Sequence, residues 1–182
     1  MNECPAGAAG RKKKGMITIM SKEVKVTPMD TVNNARTMPW KVAIEPFRVA
    51  PRVWYVGNTW VGSFLIQTSE GLALIDTTVM EDLYLLIDSI HRLGFDPKDL
   101  KHIFLTHAHM DHDGAARALK ELTGAKVWLS REDEEWRHRP EADMSDTGFA
   151  IVPYETDCFY EDETPIVMGN VVIRTRLSAG HT

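Results

Sequence analysis

The sequence predicts an α/β fold, a sheet covered by helices. Three observations lead there. Short β-type runs open the patterned part of the chain, two segments of helical apolar periodicity follow, and each helix is succeeded by another apolar strand-like run.

Residues 1–39 lack sustained periodicity and are expected to form a flexible lead-in to a domain over residues 40–182. Residues 53–56, 64–68 and 72–76 are β-type runs. Residues 58–62 separate the first pair, and Ser69, Glu70 and Gly71 supply a turn for the second, so an antiparallel meander is expected. Thr78 and Glu81 have the spacing of a capping box, in which hydroxyl and carboxylate each satisfy a backbone N–H at a helix start. Leu83, Leu86, Ile87, Ile90 and Leu93 then fall on one helical face, and Gly94 can close the helix. His91 lies one position off this stripe and reads as a surface histidine. Residues 101–106 read as a buried strand. Residues 113–122 read as a second helix packing through Ala115, Ala118, Leu119 and Leu122 and ending at Gly124, and residues 125–129 as another strand. Residues 131–163 are charged and show few clear elements; 164–168 and 171–176 read as a hairpin turning at Gly169 and Asn170.

The chain has 182 residues, 43% of them hydrophobic and 26% charged, enough for one domain with a substantial core. A net charge of −5 without a dense basic stripe argues against nucleic acid or an anionic membrane as partner. Cys4 and Cys158 stand far apart and read as free thiols. No apolar run approaches the ~20 residues of a membrane span. The basic run Arg11, Lys12, Lys13 and Lys14 precedes only a short apolar stretch, below the ~7–15 residues of a signal peptide. A cytoplasmic protein with a solvated basic tail is expected, its start at Met1, Met16 or Met20. Its oligomeric state is not legible.

The chemistry concentrates after the 101–106 run, in Thr106-His107-Ala108-His109-Met110-Asp111-His112-Asp113-Gly114. Alternate residues of extended backbone point the same way, so His107 and His109 can approach one ion. A turn at Met110 and Asp111 would swing that carboxylate and His112 towards a second. Imidazole and carboxylate donors suit zinc. With 7 histidines in the chain, a chance HxHxDH is on the order of one in a thousand. His181, in Ser178-Ala179-Gly180-His181-Thr182, is a weak signal alone and a candidate third nitrogen ligand beside that loop.

The HAHMDH segment resembles the HxHxDH signature of the metallo-β-lactamase superfamily, and SAGHT is similar to that family's later glycine–histidine loop. Leu74-Ile75-Asp76-Thr77 resembles the strand that ends in the family's buried aspartate. The likeness covers residues 42–182 and is nearest the His-rich subclass of metallo-β-lactamases. It implies an αββα sandwich built from two similar halves, here the N-terminal half plus part of the second. His107, His109 and His181 would bind a first zinc, Asp111 and His112 a second, and Asp76 would orient the metal loop. Trp60 would lie in a mobile substrate-covering loop, or else be a partly buried core aromatic. Zinc lowers the pKa of water from ~15.7 towards ~7, so hydroxide can attack a carbonyl of a small-molecule substrate at neutral pH, with Asp111 orienting the nucleophile. The substrate would be a β-lactam-like amide or a related ester, lactone or thioester; a phosphodiester hydrolase shares the fold. An oxygen-reducing di-iron relative would carry glutamate in place of His109.

The family's second half continues with further strands, a helix and a last histidine ligand. The chain is therefore expected to be C-terminally truncated, to hold at most one of the two zincs tightly, and to leave an apolar sheet face bare. A catalytically inactive fragment binding one zinc or none is the alternative reading.

Overall fold

Thr27 opens the first element of the computed structural model, which describes residues 26–182. Cys4, the basic run at residues 11–14 and the candidate starts Met1, Met16 and Met20 lie outside the described residues. Thr27 and Asp30 form a reciprocal capping box with Pro28 in the first turn, and they begin helix α1, Pro28–Thr37. Part of the expected lead-in is thus helical. It is also packed: Ala35 is buried with Val42, Val79 and Phe149.

Four antiparallel strands follow, β1 (Phe47–Ala50), β2 (Val53–Tyr55), β3 (Phe64–Thr68) and β4 (Gly71–Ile75). β2, β3 and β4 are the expected meander, and β1 extends it. From β4 the sheet turns parallel through β5 (Leu100–Phe104), β6 (Lys126–Leu129) and β7 (Cys158–Phe159), giving seven strands in sequence order. Parallel neighbours need crossovers. Helix α2 (Leu83–Arg92) joins β4 to β5, helices α3 (Met110–Asp113) and α4 (Ala116–Thr123) join β5 to β6, and helix α5 (Arg131–Trp136) begins the link to β7. The second sheet is the hairpin of β8 (Ile166–Met168) and β9 (Val171–Ile173).

Strand alternation sorts the core into two layers. Leu65, Leu74, Ile103, Val127 and Leu129 face Leu86, Ile90 and Leu119 of the helices. Ile66, Ala73, Phe104 and Trp128 face Met168, Ile166 and Val171 of the hairpin. Helices on one face and a second sheet on the other form the first three layers of the expected sandwich. The hairpin's far side leaves Val167 and Val172 exposed. Among the described residues, no helix is long and apolar enough to cross a membrane.

Two local expectations are corrected. Thr78 does not cap α2: it adopts φ +61, its buried hydroxyl has no partner among the described residues, and Glu81 instead accepts from the Ala150 N–H. A 3-10 turn, Met80–Asp82, precedes the helix. The expected helix over residues 113–122 is broken at Gly114 and Ala115, which shifts the packing face to Ala115, Ala116 and Leu119 and leaves Leu122 exposed. Residues 131–163 hold α5 and β7, with α5 capped by the Ser130 hydroxyl. Trp60 packs at 5.5 Å from the Phe149 ring, a partly buried core aromatic. His91 is exposed and the Cys158 thiol is free.

Candidate metal centre

The loops after β4, β5 and β6 meet at the carboxyl ends of three adjacent parallel strands, the edge where α/β sheets gather functional groups. β4 delivers Asp76, β5 delivers His107 to Asp113, and β6 delivers Ser130 and α5.

Asp76 sits at φ +56 and Thr78 at φ +61, a left-handed conformation that a β-branched residue rarely adopts. This strained turn is held from the histidine-bearing loop after β5. The Thr77 N–H and hydroxyl donate to the His112 carbonyl at 2.7 and 3.0 Å, and the Ala115 N–H donates to the Thr78 carbonyl at 3.3 Å. Gly114 is required by close approach. A Cβ there would stand 2.4 Å from the Met110 carbonyl oxygen and 2.9 Å from the Met80 nitrogen, both backbone.

The Asp76 carboxylate is 5% exposed and acts as a hub. It accepts from the Thr106 N–H at 2.7 Å, from the Thr106 hydroxyl at 2.8 Å and from His112 Nδ1 at 2.8 Å. With its proton committed to Asp76, the Thr106 hydroxyl can accept from His107 Nδ1, 3.0 Å away. One carboxylate therefore sets two tautomers, His112 directly and His107 through Thr106, and each ring keeps Nε2 as a lone pair. His107 Nε2 is buried and has no partner among the described residues.

At His107 the electrostatics agree with that assignment. Burial, then the neighbouring His112 and His109, push the His107 pKa down to about 4, so the ring is neutral near pH 7. Burial, then His181, also lowers His109. Burial would lower His112 as well, but the hydrogen bond and charge of Asp76, with Asp111 and Asp113, outweigh it and raise that ring above its ordinary value. Asp113 lies behind the loop, bonded to the Tyr154 hydroxyl at 3.0 Å, and burial pushes it up to about 7.

The structure brings His107, His109 and His181 together: one ring nitrogen from each lies within 4.8 Å of the others. His109 Nδ1 and His181 Nε2 stand 3.2 Å apart, close to the about 3.3 Å that a tetrahedral ion with bonds of ~2.0–2.1 Å would impose. An orphaned buried nitrogen, two neutral rings and this separation fit a bound cation. Asp111 stands apart from that trio, with its carboxylate 3.7 Å from His112 Nε2.

The motif contains neither Thr106 as a relay nor the contacts from α5. The Asp133 carboxylate accepts from the Ala108 N–H at 3.2 Å, and the Trp136 and His109 rings meet nearly perpendicular with centroids 5.0 Å apart. The available signal was the Ser130 and Asp133 spacing, a helix-start pattern without an apolar run behind it.

The geometry has parallels. Residues 61–180 match the metallo-beta-lactamase superfamily. Over 96 residues the chain is 35% identical to a metal-dependent hydrolase of Myxococcus xanthus, covering 52% of this chain and 33% of that protein. It superposes on BJP-1, a subclass B3 metallo-beta-lactamase of Bradyrhizobium japonicum, with a TM-score of 0.73 and 28% identity, covering 79% of this chain and 55% of that one. LRA-12, a class B3 di-zinc metallo-beta-lactamase from an Alaskan soil metagenome, gives a TM-score of 0.71 and 27% identity with the same coverage. The matches thus span about a third of the curated relative and just over half of these lactamases. The family match takes in the whole β4 to β6 edge, with Asp76 and the HAHMDH loop, and this chain belongs to the metallo-beta-lactamase superfamily.

Proposed function

We propose that this chain carries the zinc-binding core of a hydrolase acting on the carbonyl of a small molecule, a β-lactam-like amide or a related ester or thioester. The convergence of His107, His109 and His181 carries the reading. The names of relatives, a metal-dependent hydrolase and a di-zinc lactamase, support it. Zinc held there supplies Lewis acidity towards a carbonyl and brings the acidity of water close to neutral pH.

The chain's own groups do the rest. Burial keeps His107 neutral, and the Thr106 hydroxyl turns its Nε2 towards the other two rings. Asp76 keeps the proton of His112 on Nδ1, so that Nε2 and the Asp111 carboxylate face a second position together. Asp111 is the partly exposed acid of the pair, able to accept a proton from an attacking water and hold its oxygen towards the substrate. The described residues offer the second position only this pair, so the 182-residue chain is expected to hold one zinc tightly. The same incomplete pair favours a second reading, a zinc-binding unit without turnover.

The test is to load the chain with zinc and follow a chromogenic cephalosporin and a chromogenic thioester. Hydrolysis of either, falling about a hundredfold or more in Asp111→Asn, is the expected result. Zinc binding without turnover of any substrate would establish the second reading. Failure to bind zinc at all would overturn both.

A further inference from the structure

Helix α5 grips the metal loop from behind through a residue outside the candidate ligands. Ser130 caps α5 by accepting from the Asp133 N–H at 2.9 Å, and its hydroxyl donates to one Asp133 oxygen at 2.7 Å. The other oxygen of Asp133 accepts from the Ala108 N–H at 3.2 Å. Ala108 lies between His107 and His109, and both Ala108 and Asp133 are 7% exposed. At the end of the helix, Trp136 sets its ring against His109 at 72°. A rotation of the backbone at Ala108 would swing the two imidazoles apart, and this N–H is where such a rotation is held.

We propose that Asp133 is a positioning residue, which pins the backbone between His107 and His109 so that both rings face one ion. The inference rests on the metal-centre reading above. A carboxylate is the stronger acceptor for a buried N–H, and the Ser130 hydroxyl leaves only one of its oxygens for Ala108. The bond spans 25 residues, from the start of α5 to the loop after β5.

The test compares Asp133→Ala, Asp133→Asn and Ser130→Ala in the full chain. The readouts are zinc affinity by competition with a chromogenic chelator, the visible absorption of the cobalt-loaded protein, and the melting temperature of the metal-free protein. Asparagine keeps an oxygen for Ala108 and an amide for Ser130; Ser130→Ala removes the cap but not the bond to Ala108. The expected result is a roughly tenfold or greater loss of zinc affinity and an altered cobalt spectrum in Asp133→Ala, with asparagine and Ser130→Ala within about threefold of the parent. If alanine does not fold, Asp133→Ser, too short to reach Ala108, is expected to give the same loss. Equal melting losses in Asp133→Ala and Ser130→Ala, with parental zinc affinity in both, would overturn the proposal and leave Asp133 as part of a helix cap. A parent chain that binds no zinc would overturn the underlying reading, and this inference with it.

Discussion

Replacing Asp76 by alanine probes the hub on which two imidazole orientations depend. The side chain is 5% exposed and accepts from the Thr106 N–H, the Thr106 hydroxyl and His112 Nδ1. Hydrogen bonds to a charged group contribute about 1.5–3 kcal/mol each, but the three share one carboxylate and do not add. Removing the carboxylate leaves the Thr106 N–H and hydroxyl and His112 Nδ1 without their acceptor, at about 1–3 kcal/mol for each orphaned donor, so about 4 kcal/mol is expected here. Alanine at φ +56 adds about 1 kcal/mol. Asp76→Asn tolerates that φ and keeps one acceptor, so a loss of about 2 kcal/mol is expected. Urea unfolding of the metal-stripped protein, followed through the tryptophans, measures these losses. Chelator competition on the same samples should show zinc affinity down about 10–100-fold in Asp76→Ala, because His107 and His112 lose their fixed tautomers. An alanine variant within about 1 kcal/mol of the parent, with unchanged zinc affinity, would show that Asp76 is not the hub of this loop.

Gly114→Ala drives a Cβ into backbone at 2.4 Å and is expected to cost about 3 kcal/mol, lowering the melting temperature by about 10 °C; a drop under about 2 °C would contradict the close approach. Asp82, 1% exposed, is pushed by burial from 3.8 up to about 7, against the hydrogen bond from Asn58. The folded state then holds a proton that the unfolded chain releases, so this contribution is complete below pH 3.8 and is lost as pH rises through about 7. Local relaxation and water penetration around the buried carboxyl reduce the about 4 kcal/mol of this interval to about 2 kcal/mol. Asp82→Asn should therefore be about 2 kcal/mol more stable relative to the parent at pH 8 than at pH 4; parallel pH profiles by urea unfolding would contradict this.

What the sequence made legible follows from periodicity. β2 to β6, the apolar face of α2 and the β8–β9 hairpin place apolar runs in or against the core, and such runs survive translation into structure. α1 and α5 bury almost nothing: Ala35 in one, Asp133 and an edge of Trp136 in the other. Their signals were caps, Thr27 with Asp30 and Ser130 with Asp133, and those need no apolar stripe. Thr78 and Glu81 show the converse. They have the spacing of a cap, but the chain there is bent under the metal loop, with Thr77 and Thr78 bonded to His112 and Ala115. The break at Gly114 has the same origin, since the loop must close onto Val79 and Met80 before α4 can begin. At the site, the histidines and Asp76 were legible as residue types at a motif spacing. Thr106 and Asp133 were not, because they act through single hydrogen bonds that only the fold creates.

His107, His109 and His181 are expected to hold one zinc together. X-ray absorption at the zinc edge, on the chain loaded with one equivalent, measures it directly. Three imidazole nitrogens at about 2.0–2.1 Å are expected in the parent and two in His181→Ala. An oxygen-only shell, or a His181→Ala spectrum identical to the parent's, would contradict it.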